Sequence, residues 1–144
     1  MINIEVIKDP LNITWWKNMV QGVLTANKVQ TFSIHCWSDE IDEINHALLY
    51  GSIQDSDWAY GAIISGKITP SFIDFILSYE PAPCSKTGTY EKMTPFFNVV
   101  LEPYFFSSHY GRKISIKHMD IRKGNIRRTI KILFGEDWVI IHSF

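Results

Sequence analysis

Six carboxylates and two tryptophans stand close together in residues 37–58. The acidic residues are Asp39, Glu40, Asp42, Glu43, Asp55 and Asp57, and the tryptophans at the two ends are Trp37 and Trp58. Aromatic anchors surrounded by charge of one sign are typical of a tight, electrostatically steered contact with a basic protein. We therefore interpret these eight residues as a partner-binding surface. A solvated acidic helix face without a partner fits the same pattern.

A second charged group lies near the C-terminus and is basic. Lys113 and Lys117 share one face of a predicted strand, and Arg127 and Lys131 share one face of the next. If these faces coincide, the sheet presents a positive surface that can follow a phosphate backbone. Nucleic-acid binding is therefore the alternative function. An ordinary solvated sheet face is the simpler explanation, because no nucleic-acid-binding motif accompanies these residues.

The adjacent residues His35 and Cys36 suggest a thiol nucleophile with a nearby base. Neighbouring residues of a strand point to opposite faces, so Cys36 would need a distant base such as His109 or His118. A buried structural cysteine explains the pattern more simply, and a small enzyme with an unrecognised site is the third hypothesis. The histidines lack zinc-ligand spacing and the glycines form no phosphate-binding loop. We therefore expect no catalytic residue, no metal site and no cofactor.

A strand and a helix are predicted to position the acidic residues. Residues 29–37 alternate in the manner of a strand, and a helix follows in which Ser38 is the expected N-cap and Gly51 the expected C-cap. The predicted buried stripe of this helix is Ile41, Ile44 and Leu48. The acids then point away from the core.

The rest of the chain supplies the scaffold. The patterns predict a strand at 2–7, a helix at 14–26 capped by Thr14, a strand at 58–64 ended by Gly66, and a helix at 69–79 with Thr69 as cap and Pro70 at its first position. A long loop covers about 80–94, a strand 96–101 and an aromatic loop 105–111. The segments 113–121, 126–134 and 138–142 favour a meander, although 126–134 also fits a helical period.

These patterns predict one α+β domain over residues 1–144. We expect a mixed or antiparallel sheet of about six strands with three helices, with the helices mainly in the N-terminal half and a β-meander at the C-terminus.

Composition supports a globular protein. The chain has 144 residues, of which 46% are hydrophobic, 14% aromatic and 20% charged. No apolar run approaches the roughly 20 residues that span a bilayer, and the N-terminus lacks the features of a signal peptide. With two cysteines and no reason to pair them, we expect a cytoplasmic protein. Residues 1–80 carry ten acids against four bases, and residues 81–144 carry five against ten, so opposed surface patches are expected unless the fold interleaves the halves.

The chain resembles the small cytoplasmic immunity proteins of bacterial contact-dependent growth inhibition and related polymorphic toxin systems. The resemblance lies in its size, aromatic content and acid cluster, with contributions from residues 32–40 (FSIHCWSDE) and 93–97 (MTPFF). It implies binding to a cognate toxin C-terminal domain, often a nuclease, which the immunity protein blocks by occlusion. It also implies a protein that is not an enzyme, with neither a nucleic acid nor a membrane as its partner. The basic second half departs from the simplest picture of an acidic nuclease decoy.

Overall fold

Eight strands form one sheet in the computed structural model, which describes residues 2–7, 13–83, 89–117 and 139–143. The strands are β1 (Ile2–Val6), β2 (Thr31–Trp37), β3 (Ser52–Ile53), β4 (Gly61–Lys67), β5 (Asn98–Leu101), β6 (Phe105–Ser108), β7 (Lys113–Ile116) and β8 (Val139–Ser143). The helices are α1 (Thr14–Ala26), α2 (Ile41–Ala47) and α3 (Pro70–Ser78). The strand order is β3-β4-β2-β5-β6-β7-β1-β8, and each pairing is antiparallel. The predicted α+β class is confirmed.

The helices pack on one face of this sheet and enclose the core. Along β2, Phe32, Ile34 and Cys36 are buried, whereas the residues between them are half-buried on the other face. Phe72 of α3 stacks on Phe32 with ring centroids 3.9 Å apart. Trp16 of α1 lies across β6. Strand alternation therefore predicted the two faces correctly.

α1 and α3 have the predicted positions. The side chain of Thr69 accepts a hydrogen bond from the Phe72 amide at 3.1 Å, which satisfies one of the free N–H groups at the start of α3. Pro70 occupies the first turn, as expected. The prediction for α1 was wrong in its cap, because Ile13 is the N-cap residue and forms no side-chain capping bond.

α2 differs from its prediction. The helix begins at Ile41 with Glu40 as the N-cap residue, so Ser38 does not cap it. It ends at Ala47, before Gly51. The predicted buried stripe is wrong at two of its three positions, because Ile41 is 62% exposed and Leu48 is 37% exposed. Ile44 is half-buried and packs against the core, and small Ala47 is fully buried.

Two predicted loops are strands instead. Gly66 lies within β4 opposite Phe32, where a Cβ atom would meet the Phe32 ring at 2.8 Å; close packing rather than a turn explains this glycine. Residues 105–108 form β6, in which Phe105 is buried and Phe106 is exposed. The two-residue strand β3 was not predicted.

The C-terminal meander is composed of β5, β6 and β7. Strands β7 and β8 do not adjoin, because β1 lies between them and pairs with both. The predicted segment at 126–134 lies outside the described residues. In the described part of the chain, no helix has both the length and the apolar character needed to cross a bilayer.

Candidate functional site

The acidic residues leave the sheet from one end. Trp37, the last residue of β2, pairs with Gly61, the first residue of β4. The segment that follows β2 and the connection between β3 and β4 therefore emerge side by side. A hydrogen bond of 2.9 Å from the Ser38 amide to the Tyr60 carbonyl joins them. We call residues 37–60 the acidic corner; they contain all eight predicted partner-binding residues and no Lys or Arg.

The two tryptophans of the acidic corner pack on each other. The Trp37 and Trp58 rings meet edge to face with centroids 4.9 Å apart, and Phe97 contacts Trp37 at 4.8 Å. Trp58 lies directly over Gly61, where any Cβ atom would overlap its ring. Both tryptophans are half-buried by these contacts. The structure thus brings the predicted pair together and adds Phe97, which the sequence spacing gave no reason to include.

Glu40 is held by the protein itself. Its Oε1 accepts the Trp37 amide at 2.8 Å, and its Oε2 accepts the Tyr110 hydroxyl at 3.0 Å. Tyr110 reaches it from the β6–β7 turn, where His109, Tyr110 and Gly111 all have positive φ. Burial, together with the hydrogen bond to Glu40, raises the pKa of Tyr110 above its ordinary value. Glu40 is therefore a structural residue, which sequence reasoning missed because its partner lies seventy residues away.

The other five carboxylates form no ion pair within the described residues. Asp39, Asp42, Asp55 and Asp57 are exposed, and Glu43 is half-buried. Within the described ranges, Lys17 and Glu80 form an ion pair of 2.7 Å, and both residues lie outside the acidic corner. These five groups are consequently acidic side chains without an ion-pair partner in the described part of the chain, and Lys92, which lines the same clefts as Glu43, is a cation near them.

A cleft of about 650 Å³ opens beside Asp39 and Glu43, two of these five carboxylates. Its lining residues are Trp37, Ser38, Asp39, Glu40, Glu43, Ala59, Tyr60, Lys92 and Tyr110. Lys92 places its Nζ 4.1 Å from the centre of the Tyr110 ring, a cation–π contact on the cleft wall. A second cleft of about 510 Å³ shares Glu43 and Lys92 with the first. Aromatic walls with carboxylates at the rim suit a cationic side chain.

Cys36 and His35 do not form a nucleophilic pair. Cys36 is fully buried on the helix-covered face, and burial, followed by the charges of Glu40 and Glu43, raises the pKa of its thiol from 9.0 to about 12. His35 lies on the opposite face, where its Nδ1 is 3.0 Å from the Asn98 amide nitrogen, and burial lowers its pKa. His109 is exposed beside Phe97, and His118 lies outside the described residues. The Cys36 thiol is thus protonated and enclosed.

The basic group is described only in part. Lys113 begins β7 opposite Glu5, and Lys117 follows the last residue of that strand; both lysines are exposed. Arg127 and Lys131 lie outside the described residues. In the ranges that the structure covers, no three His, Cys, Asp or Glu side chains are placed to share a metal ion.

The fold and the site define an α+β protein with a one-sided antiparallel sheet and an acidic, aromatic-lined end. Comparison with models of known protein families, with curated proteins and with solved structures found no match.

Proposed function

We propose that this protein is an inhibitory binding protein of the immunity type, which neutralises a basic toxin domain by covering its working surface. One observation carries the proposal. Five carboxylates of the acidic corner stand at one end of the sheet and form no ion pair among the described residues, where Lys92 is the cation that lines their cleft.

Charge of one sign at an exposed end serves association more than stability. Such a surface raises the rate of encounter with an oppositely charged partner and rejects partners of like charge. The fold gains little from it, because exposed carboxylates without partners contribute almost nothing to stability. A basic partner therefore accounts for a group that folding alone does not require.

Occlusion requires a rigid surface, and the acidic corner has rigid support. Glu40 fixes the start of α2 to the end of β2 and to the β6–β7 turn. The Trp37, Trp58 and Phe97 rings pack on one another at the same end of the sheet. A preorganised surface loses little conformational entropy when it binds. The toxin would be held by its Lys and Arg side chains and shielded from its substrate in the cytoplasm of the producing cell.

The test uses the protein encoded directly upstream of this gene, because immunity proteins of this type accompany their toxins. Its C-terminal domain is produced in cells with and without this protein, and growth and binding are measured. We expect arrest of growth by the domain alone and rescue by co-expression. A harmless domain, or a toxic one that does not bind this protein, would refute the proposal.

Charge reversal then locates the contact. The double variant Asp39→Lys with Asp42→Lys should slow association about tenfold or more at low salt, and the difference should shrink as salt is added. Glu102→Lys is the control. Exposed Glu102 follows Leu101, the β5 residue that pairs with Phe32, so it lies at the end of the sheet opposite the acidic corner. Equal association rates for both variants would exclude the acidic corner.

Nucleic-acid binding is the alternative function, and a separate binding experiment tests it. The described part of the basic group supports it with two exposed lysines, one of which faces Glu5 across the strand pair. Filter binding to random single- and double-stranded oligonucleotides at low and at high salt tests it. This alternative would be favoured if the protein retains oligonucleotides on the filter and the double variant Lys113→Glu with Lys117→Glu does not.

A further inference from the structure

Exposed apolar side chains gather in the acidic corner. Large hydrophobic residues exposed there are Ile41, Leu48, Leu49, Ile53 and Tyr60. Leu49 is 75% exposed and Ile53 is 58% exposed. Elsewhere in the described chain the comparable residues are Ile7 and Phe106, which belong to different strand segments with β7 between them. Single exposed apolar residues are ordinary, whereas a group of them in one short segment marks an interaction surface.

Helix geometry and strand register place three of these residues on one side. Ile41 begins α2, and Leu48, its C-cap residue, keeps helical backbone angles with its amide bonded to the Ile44 carbonyl at 3.0 Å. Residues seven apart on a helix lie on the same side, and Leu49 follows Leu48 directly in the turn that leaves the helix. Ile53 pairs with buried Ile64, which faces the helices. Ile53 therefore lies at the sheet edge on the same side as α2. We call Ile41, Leu48, Leu49 and Ile53 the apolar shoulder.

Carboxylates flank the apolar shoulder at both of its ends. Asp42 follows Ile41 on α2, and Asp55 lies just beyond Ile53; both are exposed. No Lys or Arg occurs anywhere in residues 29–66. An apolar centre with charge of one sign around it is the arrangement of an interface whose partner carries the opposite charge.

We propose that the apolar shoulder is the anchor of the partner interface, and that its occupant is a folded protein with an apolar centre surrounded by Lys and Arg. The inference rests on the proposed function for the partner's charge, and it goes further by locating the contact. It assigns the apolar contact to the aliphatic residues of α2, the turn after it and β3 rather than to Trp37 and Trp58, whose rings are already packed against each other and Phe97.

The charges select this occupant over others. A second copy bound shoulder to shoulder would bring the two sets of carboxylates together, and like charges at an interface are costly. Nucleic acid and anionic lipid present phosphates, which the same carboxylates repel. A basic protein surface meets both the apolar and the charged requirement.

Photo-crosslinking in the cells that naturally make this protein tests the proposal directly. A photoreactive amino acid replaces Leu49 or Ile53, and in a control it replaces Gln21, which is exposed on α1. We expect both shoulder positions to give one discrete adduct with the same basic protein, identified by mass spectrometry. The Gln21 control should give none. Asp42→Lys combined with Asp55→Lys should abolish the adduct while the circular dichroism spectrum stays unchanged.

Binding of the identified protein, once purified, gives the size of the effect. Leu49→Ser and Ile53→Ser should each weaken affinity about tenfold, as expected for residues at the centre of an interface. Ile7→Ser, which removes a similarly exposed apolar side chain at the far side of the sheet, should leave affinity unchanged.

The results distinguish failure of this inference from failure of the proposed function. Absence of an adduct at both shoulder positions, an adduct with a second copy or an acidic protein, or an adduct that survives charge reversal overturns the inference. Rescue from the upstream toxin domain would leave the proposed function standing in each of these cases. Conversely, a basic partner captured at the shoulder that proves harmless to cells lacking this protein supports the surface and refutes the immunity role.

Discussion

α2 and α3 lie on the same face of the sheet but use their apolar residues in opposite ways. α3 buries Phe72, Phe75 and Ile76 beneath it, and its first turn is capped by Thr69. α2 buries Ala47, exposes Ile41, and has no side-chain cap. α3 is thus an element of the core, while α2 lies over β2 and β4 and presents apolar and acidic side chains to solvent.

This difference separates a helix that stabilises the core from one that contributes less to it. A helix that contributes its large side chains to the core is constrained by packing, so its residues are costly to change. α2 packs through Ala47 and half-buried Ile44 and leaves Ile41 exposed to solvent. Substitutions at the exposed positions of α2 should therefore disturb the core less than substitutions in α3.

The largest expected contrast is between buried Phe72 and exposed Ile41. Phe72→Ala removes a ring that is fully buried and stacked on Phe32, and should lower the free energy of unfolding by about 3–5 kcal/mol. Ile41→Ala removes a mostly exposed side chain at the start of a helix and should change it by less than about 0.5 kcal/mol. Urea unfolding followed by tryptophan fluorescence measures both. Similar losses in the two variants would show that α2 belongs to the core after all.

A second contrast lies within the acidic corner itself. Glu40→Ala leaves the Trp37 amide and the Tyr110 hydroxyl without their acceptor and should cost about 1–3 kcal/mol of stability. Asp55→Ala, in an exposed loop, should be neutral within about 0.5 kcal/mol. Tyr110→Phe should cost less in the Glu40→Ala background than in the original protein, because the shared hydrogen bond is lost only once. Additive losses would mean that the two residues act independently.

Sequence reasoning was more successful for α1 and α3 than for α2. α1 and α3 were placed correctly because a helical period over large apolar residues, or a Thr-Pro start, is a local signal. The same period was correct for Ile44 of α2 and wrong for Ile41 and Leu48, because it finds an apolar stripe without saying how much of the stripe faces the core. Burial of Ala47 in place of Ile41 depends on where the helix rests on the sheet, which is a tertiary effect.

Contacts between residues far apart in the chain could not be predicted from sequence spacing, for a different reason. β1 lies between β7 and β8, strands that are more than a hundred residues away along the chain, so no local pattern indicated it. The hydrogen bond from Tyr110 to Glu40 has the same character. The acid cluster was found because it is contiguous in sequence. The residue within it that serves the fold could be recognised only when its partners were seen.

The smallest contrast compares the starts of the two helices. Thr69→Ala removes the side-chain oxygen that accepts the Phe72 amide and should cost about 1 kcal/mol, the usual value of such a cap. Ser38→Ala is the matched change before α2 and should cost almost nothing, because Glu40 rather than Ser38 occupies the N-cap position and forms no side-chain capping bond. Differential scanning calorimetry of both variants resolves the difference as a shift in Tm for Thr69→Ala alone. A comparable shift for Ser38→Ala would mean that α2 does depend on local capping, and the view of α2 as an element held by Glu40 and by its packing over β2 and β4 would have to be abandoned.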